Sequence, residues 1–196
     1  MREELTKKFK MLDMNDVDIS TEDKTIIGTQ ALAPCIAFVL YQREHKRAIA
    51  GHLSSNCFLT NGSVELMISR LENLIEENGL ANLGFDLYLI EGAYKSQQKV
   101  YASDVAVLRN PYKYEFTLLE ALEYIFKQNP LFKINSVNDL ASGDYQIVDE
   151  QGNPSNSETA LLSKRFAFDT SSGKFVTDQV AFGAEYIEIN NDFKRR

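Results

Sequence analysis

The sequence predicts an α+β fold in which helices lie on a largely antiparallel sheet. Two observations support this prediction: short apolar segments rich in β-forming residues surround two amphipathic helical segments, and short strand-like segments separated by turns fill the C-terminal third. At 196 residues, 44% of them hydrophobic and 25% charged, the chain has the size and composition of a globular domain. We expect an N-terminal arm over residues 1–22 and a single domain over residues 23–196.

The first elements of the predicted sheet form a β-hairpin. Residues 1–20 mix charges with scattered hydrophobic residues and indicate at most a short helix, whereas residues 23–32 indicate a strand that enters a small-residue loop. Residues 35–41 (CIAFVLY) and 48–53 (AIAGHL) are apolar at nearly every position, which is typical of strands covered on both faces. The short polar stretch between them predicts a hairpin tip in water.

The register of this hairpin decides which side chains meet. Residues opposite each other in an antiparallel pair have a constant sum of positions, and pairing Tyr41 with Lys46 across a short tip gives a sum of 87. The same sum pairs Cys35 with His52, with Cβ atoms about 4.5–5.5 Å apart. A slip of one residue would place the two side chains on opposite faces of the sheet. This register predicts a thiol and an imidazole in contact at the end of the hairpin.

The rest of the chain alternates helices and strands. Residues 63–78 have apolar side chains at helical spacing and end at Gly79, and residues 116–128 form a second helix opened by Thr117 and Glu120 in capping-box spacing. The remaining predicted elements are strands over residues 85–90, 145–148, 161–168, 174–182 and 186–189, with a turn at 171–173.

Composition argues against several classes of protein. A net charge of −7 is unfavourable for binding a phosphate backbone, so we expect no nucleic-acid partner. No run of 18 apolar residues is present, and the charged first ten residues lack the apolar core of a secretory signal. We therefore expect no membrane insertion and a cytoplasmic location, with signal-independent secretion as an effector left as an alternative. Two cysteines are too few for a disulfide framework.

The predicted Cys35–His52 pair points to thiol chemistry. A thiol is a nucleophile only as its thiolate, and an adjacent imidazole can take the thiol proton and later return a proton to the leaving group. The alternative is a purely structural role, in which Cys35 is a small buried hydrophobic residue and His52 a hydrogen-bonded core histidine. Backbone N–H groups near Cys35 are candidate donors to the oxyanion of such a reaction.

The segment 29–52, TQALAPCIAFVLYQREHKRAIAGH, resembles the chemoreceptor glutamine deamidase family, CheD. In that family a Thr, a Cys that begins a strand and a His that ends a hairpin have the spacings of Thr29, Cys35 and His52. The similarity extends over about residues 24–180 but is specific only over 29–52. It implies a three-layer α/β/β fold, shared with the cytotoxic necrotizing factor toxins, and a hydrogen bond between Thr29 and His52 that fixes the tautomer of the ring.

The resemblance implies a protein-glutamine deamidase that needs no cofactor and no metal. Its partner would be a protein that presents a surface glutamine, such as a chemoreceptor or a small GTPase. Two segments depart from the family: the approach to the cysteine is Ala31-Leu32-Ala33-Pro34 instead of glycine-rich, and the Gly-Gly and Arg expected near the C-terminal strands are reduced to Ala141-Ser142-Gly143. Because a partner would dock at these segments, the departures predict a diverged relative of the family with a different target.

Several alternatives remain open at this point. The same thioester could be captured by an amine, as in a transglutaminase-like or other thiol-dependent effector acting on a host protein, or the fold could be a non-catalytic interaction module. A zinc site formed by Cys35, Cys57, His45 and His52 is disfavoured because closely spaced ligand pairs are missing. Asp86 and Glu91 are alternative carboxylate partners for His52, ranked below Thr29 only on the family resemblance.

Overall fold

A computed structural model of the chain describes residues 8–32, 35–54, 56–58, 63–92, 99–101, 115–140, 145–148, 164–175, 186–189 and 194–195. Two helices lie within these ranges, α1 (Ser63–Glu77) and α2 (Leu118–Gln128). The strands are β1 (Phe9–Leu12), β2 (Asp16–Ile19), β3 (Ile26–Leu32), β4 (Ile36–Gln42), β5 (Arg47–Leu53), β6 (Gly84–Glu91), β7 (Lys99–Tyr101), β8 (Glu115–Thr117), β9 (Lys133–Leu140), β10 (Tyr145–Val148), β11 (Lys164–Asp169), β12 (Lys174–Phe175), β13 (Tyr186–Ile189) and β14 (Lys194–Arg195). Neither helix is long and apolar enough to cross a membrane.

A six-stranded sheet in the order β14-β9-β6-β4-β5-β2 forms the centre of the fold. A second sheet has the order β1-β3-β11-β12, and β7-β8 and β10-β13 form two-stranded sheets. Most neighbouring strands are antiparallel; β1–β3 and β6–β9 are the parallel pairs among the described residues. The mixture of two helices with mainly antiparallel sheets confirms the predicted α+β class.

Strand β4 separates two hydrophobic cores. Ile36, Phe38 and Leu40 face one core, which contains the buried side chains of α1 and α2. Ala37 and Val39 face the other core, which contains the buried side chains of β3 and β11. Because successive strand residues point to opposite faces, the helices lie on one side of the six-stranded sheet and the four-stranded sheet lies on the other. All seven residues of β4 are buried, which accounts for their continuous apolar sequence.

The N-terminal region differs from the predicted arm. Residues 8–20 contain neither a helix nor a free extension, because β1 pairs with β3 in the four-stranded sheet and β2 pairs with β5 in the six-stranded sheet. Leu12 and Val17 are only 2% and 1% exposed. These strands are four residues long, too short for the scattered hydrophobic residues to show a clear period.

The predicted hairpin register is wrong by two positions. In the structure Tyr41 pairs with Ala48 and Ala37 pairs with His52, so the constant sum is 89 instead of 87. Four residues, 43–46, form the tip, and the left-handed backbone of Lys46 (φ 50°) closes it. A shift of two residues preserves the alternation of faces, so Cys35 remains on the face of Ala37 and His52 but is not directly opposite His52.

The later elements that the structure describes largely agree with the sequence pattern, whereas residues 161–163 and 176–182 of two predicted strands lie outside the described residues. Helix α1 begins at the expected residue and ends one residue early, and α2 begins at Leu118 because residues 115–117 pair with β7 as β8. The capping box is confirmed: the Thr117 hydroxyl accepts from the Glu120 N–H, and the Glu120 carboxylate accepts from the Thr117 N–H. Strand β9, parallel to β6, is absent from the prediction. Ala33, Pro34 and the 141–143 departure lie outside the described residues.

Candidate functional site

The three candidate residues come from different elements that converge between the two large sheets. Thr29 lies in β3, Cys35 immediately precedes β4, and His52 is the penultimate residue of β5. Thr29, Cys35 and His52 are 0%, 6% and 3% exposed, respectively. The site is therefore inside the protein, where polar groups need hydrogen-bonding partners.

A direct hydrogen bond joins Thr29 to His52. Thr29 Oγ1 lies 2.8 Å from His52 Nδ1 and 2.8 Å from the carbonyl oxygen of Leu12. A hydroxyl has one hydrogen, and a carbonyl can only accept, so Thr29 donates to Leu12 and accepts from Nδ1–H of His52. This arrangement gives His52 the Nδ1–H tautomer when the ring is neutral and leaves a lone pair on Nε2.

Within the described part of the chain, the second ring nitrogen of His52 has no hydrogen-bonding partner. Nε2 is buried and makes no hydrogen bond to any of the described residues, although buried polar side-chain atoms are nearly always paired. Burial lowers the pKa of His52 from 6.5 to about 4, and the negative charge of Asp13 offsets part of that decrease. The imidazole is thus neutral near pH 7, and its available lone pair can accept a proton.

Cys35 lies on the same side of the six-stranded sheet as His52. The Cys35 side chain belongs to the core between the two sheets, together with Ala37, which pairs directly with His52. Diagonal neighbours in a strand pair have Cβ atoms up to about 7–8 Å apart. The predicted direct pair is therefore replaced by a diagonal one, in which the thiol and the imidazole project into the same space.

Cys57 occupies a different environment. Its side chain belongs to the core on the helix side of the sheet. Burial, followed by the charge of Cys35, raises the pKa of its thiol from 9.0 to about 12. Cys57 also lines a cleft of about 520 Å³ between α1 and β2, but no histidine lines it in the described part of the chain. Among the described residues, the cleft thus offers Cys57 no imidazole to activate its thiol.

The zinc arrangement does not form. His45 lies at the hairpin tip, at the opposite end of β5 from His52, and its ring contacts Gln42. Among the described residues no three His, Cys, Asp or Glu side chains are grouped closely enough to hold a metal ion.

The two alternative carboxylates do not reach His52. Asp86 pairs with Tyr41 near the hairpin tip, where it accepts hydrogen bonds from Arg43 Nε and from Ser136 Oγ. Arg43 is therefore more than part of a solvated turn, although its side chain is 74% exposed. Glu91 follows Ile90, which faces the core of Cys35, so Glu91 lies on the opposite face of β6.

The turn between β1 and β2 contributes contacts that the sequence analysis misses. Besides Leu12, which accepts the Thr29 hydrogen bond, Asn15 N donates to the carbonyl of His52 at 2.6 Å. Asp13, also in this turn, is the charged group that acts on His52. The sequence Asp-Met-Asn-Asp between two short hydrophobic segments is a turn signal, but assigning the region to an arm hides it.

Comparison of the sequence with protein-family models gives no match, and comparison with curated proteins gives none either.

Proposed function

We propose that the protein is a protein-glutamine deamidase in which Cys35 is the nucleophile, His52 the base and Thr29 the residue that orients His52. The observation that carries the proposal is the state of the His52 ring. Its Nδ1–H is bound to Thr29, and its Nε2, on the side of the sheet that holds Cys35, is buried and has no partner among the described residues. A core histidine with a purely structural role would be expected to have partners at both nitrogens.

The reaction follows from these groups. Nε2 of His52 accepts the Cys35 thiol proton, and the thiolate attacks the side-chain amide carbon of glutamine to give a tetrahedral oxyanion. The imidazolium then returns the proton to the amide nitrogen, ammonia leaves, and a thioester remains. His52 next takes a proton from water, which attacks the thioester to release glutamate and the Cys35 thiol. Each imidazolium is transient, and the negative charge of Asp13 favours its formation.

Burial of the site supports a substrate with a long, narrow reactive group. A thiol that is 6% exposed can be reached by an extended side chain more readily than by a backbone amide of a folded protein. A glutamine side chain carries its amide on two methylene groups, so it can enter while the rest of the partner remains outside. We propose a glutamine on a partner protein, either a chemoreceptor signalling region or a small GTPase, as the substrate.

The proposal also covers the fold family of the protein and its location in the cell. Helices on one face of a six-stranded sheet and a four-stranded sheet on the other are compatible with the three-layer arrangement expected of a CheD-like or necrotizing-factor fold. The segment Thr29 to His52 carries the resemblance. We also propose that the protein acts in the cytoplasm.

Mass spectrometry of candidate substrates tests the function. Purified protein is incubated with a receptor cytoplasmic fragment and, separately, with a small GTPase, and peptides are searched for Gln converted to Glu. Conversion should occur with the wild type and with Cys57→Ser, and it should be absent with Cys35→Ser. Addition of a primary amine would reveal transglutamination as an amine adduct at the same glutamine. Rapid ammonia release from free glutamine, with no protein modified, would count against a protein substrate.

A non-catalytic interaction module is the second candidate, because the near-complete burial of Cys35 is also typical of a structural core residue. An electrophile that labels thiols separates the two. Faster labelling of Cys35 than of Cys57 near pH 7 supports an enzyme, whereas equally slow labelling of both supports the module.

A further inference from the structure

We propose that Asn15, in the turn between β1 and β2, is a positioning residue that holds His52 against Thr29. This inference builds on the site of the proposed function, but it concerns the placement of the His52 ring and can be tested without a substrate.

The turn joins the two sheets at the site. Strand β1 belongs to the four-stranded sheet with Thr29, and β2 belongs to the six-stranded sheet with His52. Residues 13–15 are all that separates the two strands. On one side of the turn Leu12 O accepts from Thr29 Oγ1, and on the other side Asn15 N donates to His52 O. One short connection thus contacts both members of the Thr29–His52 hydrogen bond.

Asn15 makes two contacts that bracket the end of β5. Its N–H donates to the carbonyl of His52 at 2.6 Å, and its side-chain Oδ1 accepts from the N–H of Ser54 at 2.9 Å. Both contacts bind backbone atoms, one at His52 and the other two residues later. The backbone from which the imidazole projects is therefore fixed by Asn15, just where β5 ends and regular pairing with its neighbours stops.

The backbone of Asn15 has a conformation suited to this task. Its φ of 63° lies in the left-handed region, which asparagine and glycine tolerate better than most residues. This conformation lets the N–H and the side-chain carbonyl of one residue bind the same neighbouring strand. Displacements of about 1 Å in a catalytic group can reduce a rate by roughly 100-fold, so a loosened strand end would matter for the chemistry.

The test measures the tautomer of His52 by NMR of the histidine rings in the full-length protein. The chain has two histidines, so His45→Gln assigns the signals. The wild type should show the Nδ1–H form of His52. Asn15→Gly tolerates the left-handed backbone but removes the acceptor for Ser54, and it should give a mixture of tautomers. Asn15→Asp retains an acceptor oxygen and should restore the single Nδ1–H form.

Asn82 provides a matched control. It is also exposed, has φ of 65°, and its N–H donates to Leu131 O at 2.6 Å, but it lies in the turn before β6. Asn82→Gly should leave the His52 spectrum as in the wild type. An unchanged spectrum in Asn15→Gly, or the same mixture in Asn82→Gly, would overturn the assignment of Asn15. If His52 is in the Nε2–H form in the wild type, both the positioning role of Asn15 and the role of His52 as the base are overturned.

Activity gives an independent readout where a substrate is found. The rate of deamidation should fall roughly 10- to 100-fold in Asn15→Gly and recover in Asn15→Asp. Full activity in Asn15→Gly would contradict the positioning role. If the NMR results are as expected and Cys35 modifies no glutamine, the positioning of His52 stands and the proposed function fails.

Discussion

The protonation state of His52 depends on its burial. Folding removes the ring from water and leaves it Thr29 as its one hydrogen-bonding partner among the described residues, so the charged form loses more solvation than it regains. The outcome is a neutral imidazole near pH 7 with an unpaired nitrogen. At an exposed position, with a pKa near 6.5, the same ring would be partly protonated near pH 7.

Burial of His52 predicts a pH dependence of stability. The folded pKa of about 4 lies below the unfolded value of 6.5, so between these values the unfolded chain binds more protons. The free energy of unfolding should therefore decrease as the pH falls from 6.5 towards 4, by roughly 1–3 kcal/mol from this residue alone. Urea unfolding at about pH 7 and about pH 4.5 measures the decrease.

Two variants give this measurement its controls. His52→Gln cannot bind the proton and should show a smaller decrease than the wild type, whereas His45→Gln, at the exposed hairpin tip, should show the same decrease. A His52→Gln protein with the full wild-type pH dependence would contradict the burial of a neutral ring.

The two cysteines should differ in reactivity. Cys57 has a thiol pKa of about 12 and belongs to the core on the helix side, whereas Cys35 shares its side of the sheet with Nε2 of His52. Alkylation by iodoacetamide, followed by peptide mass spectrometry, should modify Cys35 first. His52→Gln should slow that modification by roughly 100-fold if the imidazole takes the thiol proton. Preferential modification of Cys57 in the folded wild type would reverse the assignment.

At the scale of elements, β2 is an edge strand whose outer side is protected. The side chains of Asp16 and Asp18 accept hydrogen bonds from the N–H groups of Val17 and Ile19, respectively. The same carboxylates pair with Arg70 at 2.9 Å and Lys10 at 2.6 Å. Charged side chains on an edge strand discourage pairing with another chain. The Asp-Val-Asp-Ile sequence thus buries Val17 and Ile19 while it covers the strand's free donors.

The start of α2 offers a test of a local interaction. Thr117→Ala removes the hydroxyl that accepts from the Glu120 N–H, and it should lower the free energy of unfolding by about 0.5–2 kcal/mol. Thr117→Ser retains the hydroxyl and should lose much less. Denaturation of both variants in urea compares them, and equal losses would mean that the methyl group, not the cap, stabilises this position.

At the scale of the whole molecule, the six-stranded sheet has a core on each face. Phe38 packs edge-on against Phe126 of α2, with ring centroids 4.8 Å apart. On the other face Tyr41 contacts Phe168 of β11 at 5.1 Å, and the Tyr41 hydroxyl donates to the carbonyl of Thr170 at 2.9 Å. The candidate site lies within the second core, so its geometry depends on how the two sheets pack.

Deletion of residues 1–20 should unfold the protein or nearly so. It removes an edge strand from each large sheet, including the buried side chains of Leu12, Val17 and Ile19. At about 1.5–3 kcal/mol for each buried side chain, the loss is comparable to the whole stability of a domain, about 5–15 kcal/mol. Circular dichroism and thermal unfolding measure this loss of stability, and a deletion of residues 1–7, which retains both strands, is the control. A stable, cooperatively folded protein without residues 1–20 would restore the interpretation of this region as an arm.

The sequence alone determined the elements whose signals are local. Helix α1 follows from apolar side chains at helical spacing, α2 from its Thr117–Glu120 capping box, and β4 and β5 from apolar runs around a charged tip. It also nominated Thr29, Cys35 and His52, through spacing and resemblance. Such signals are readable because each depends on side chains a few residues apart in the chain.

Only the tertiary structure decided the register of the hairpin, the role of β1 and β2, and the state of His52. A two-residue shift keeps every side chain on its face of the sheet, so the hydrophobic pattern cannot distinguish a register with a sum of 87 from one with a sum of 89. The structure decides between them, because its four-residue tip sets the sum at 89. The pairing of β1 and β2 depends on partners 17 to 36 positions away, as in Phe9 with Ile26 and Asp16 with His52. Nε2 carries the lone pair because Thr29 binds Nδ1–H, and the packing of one sheet on the other buries this nitrogen without a partner among the described residues.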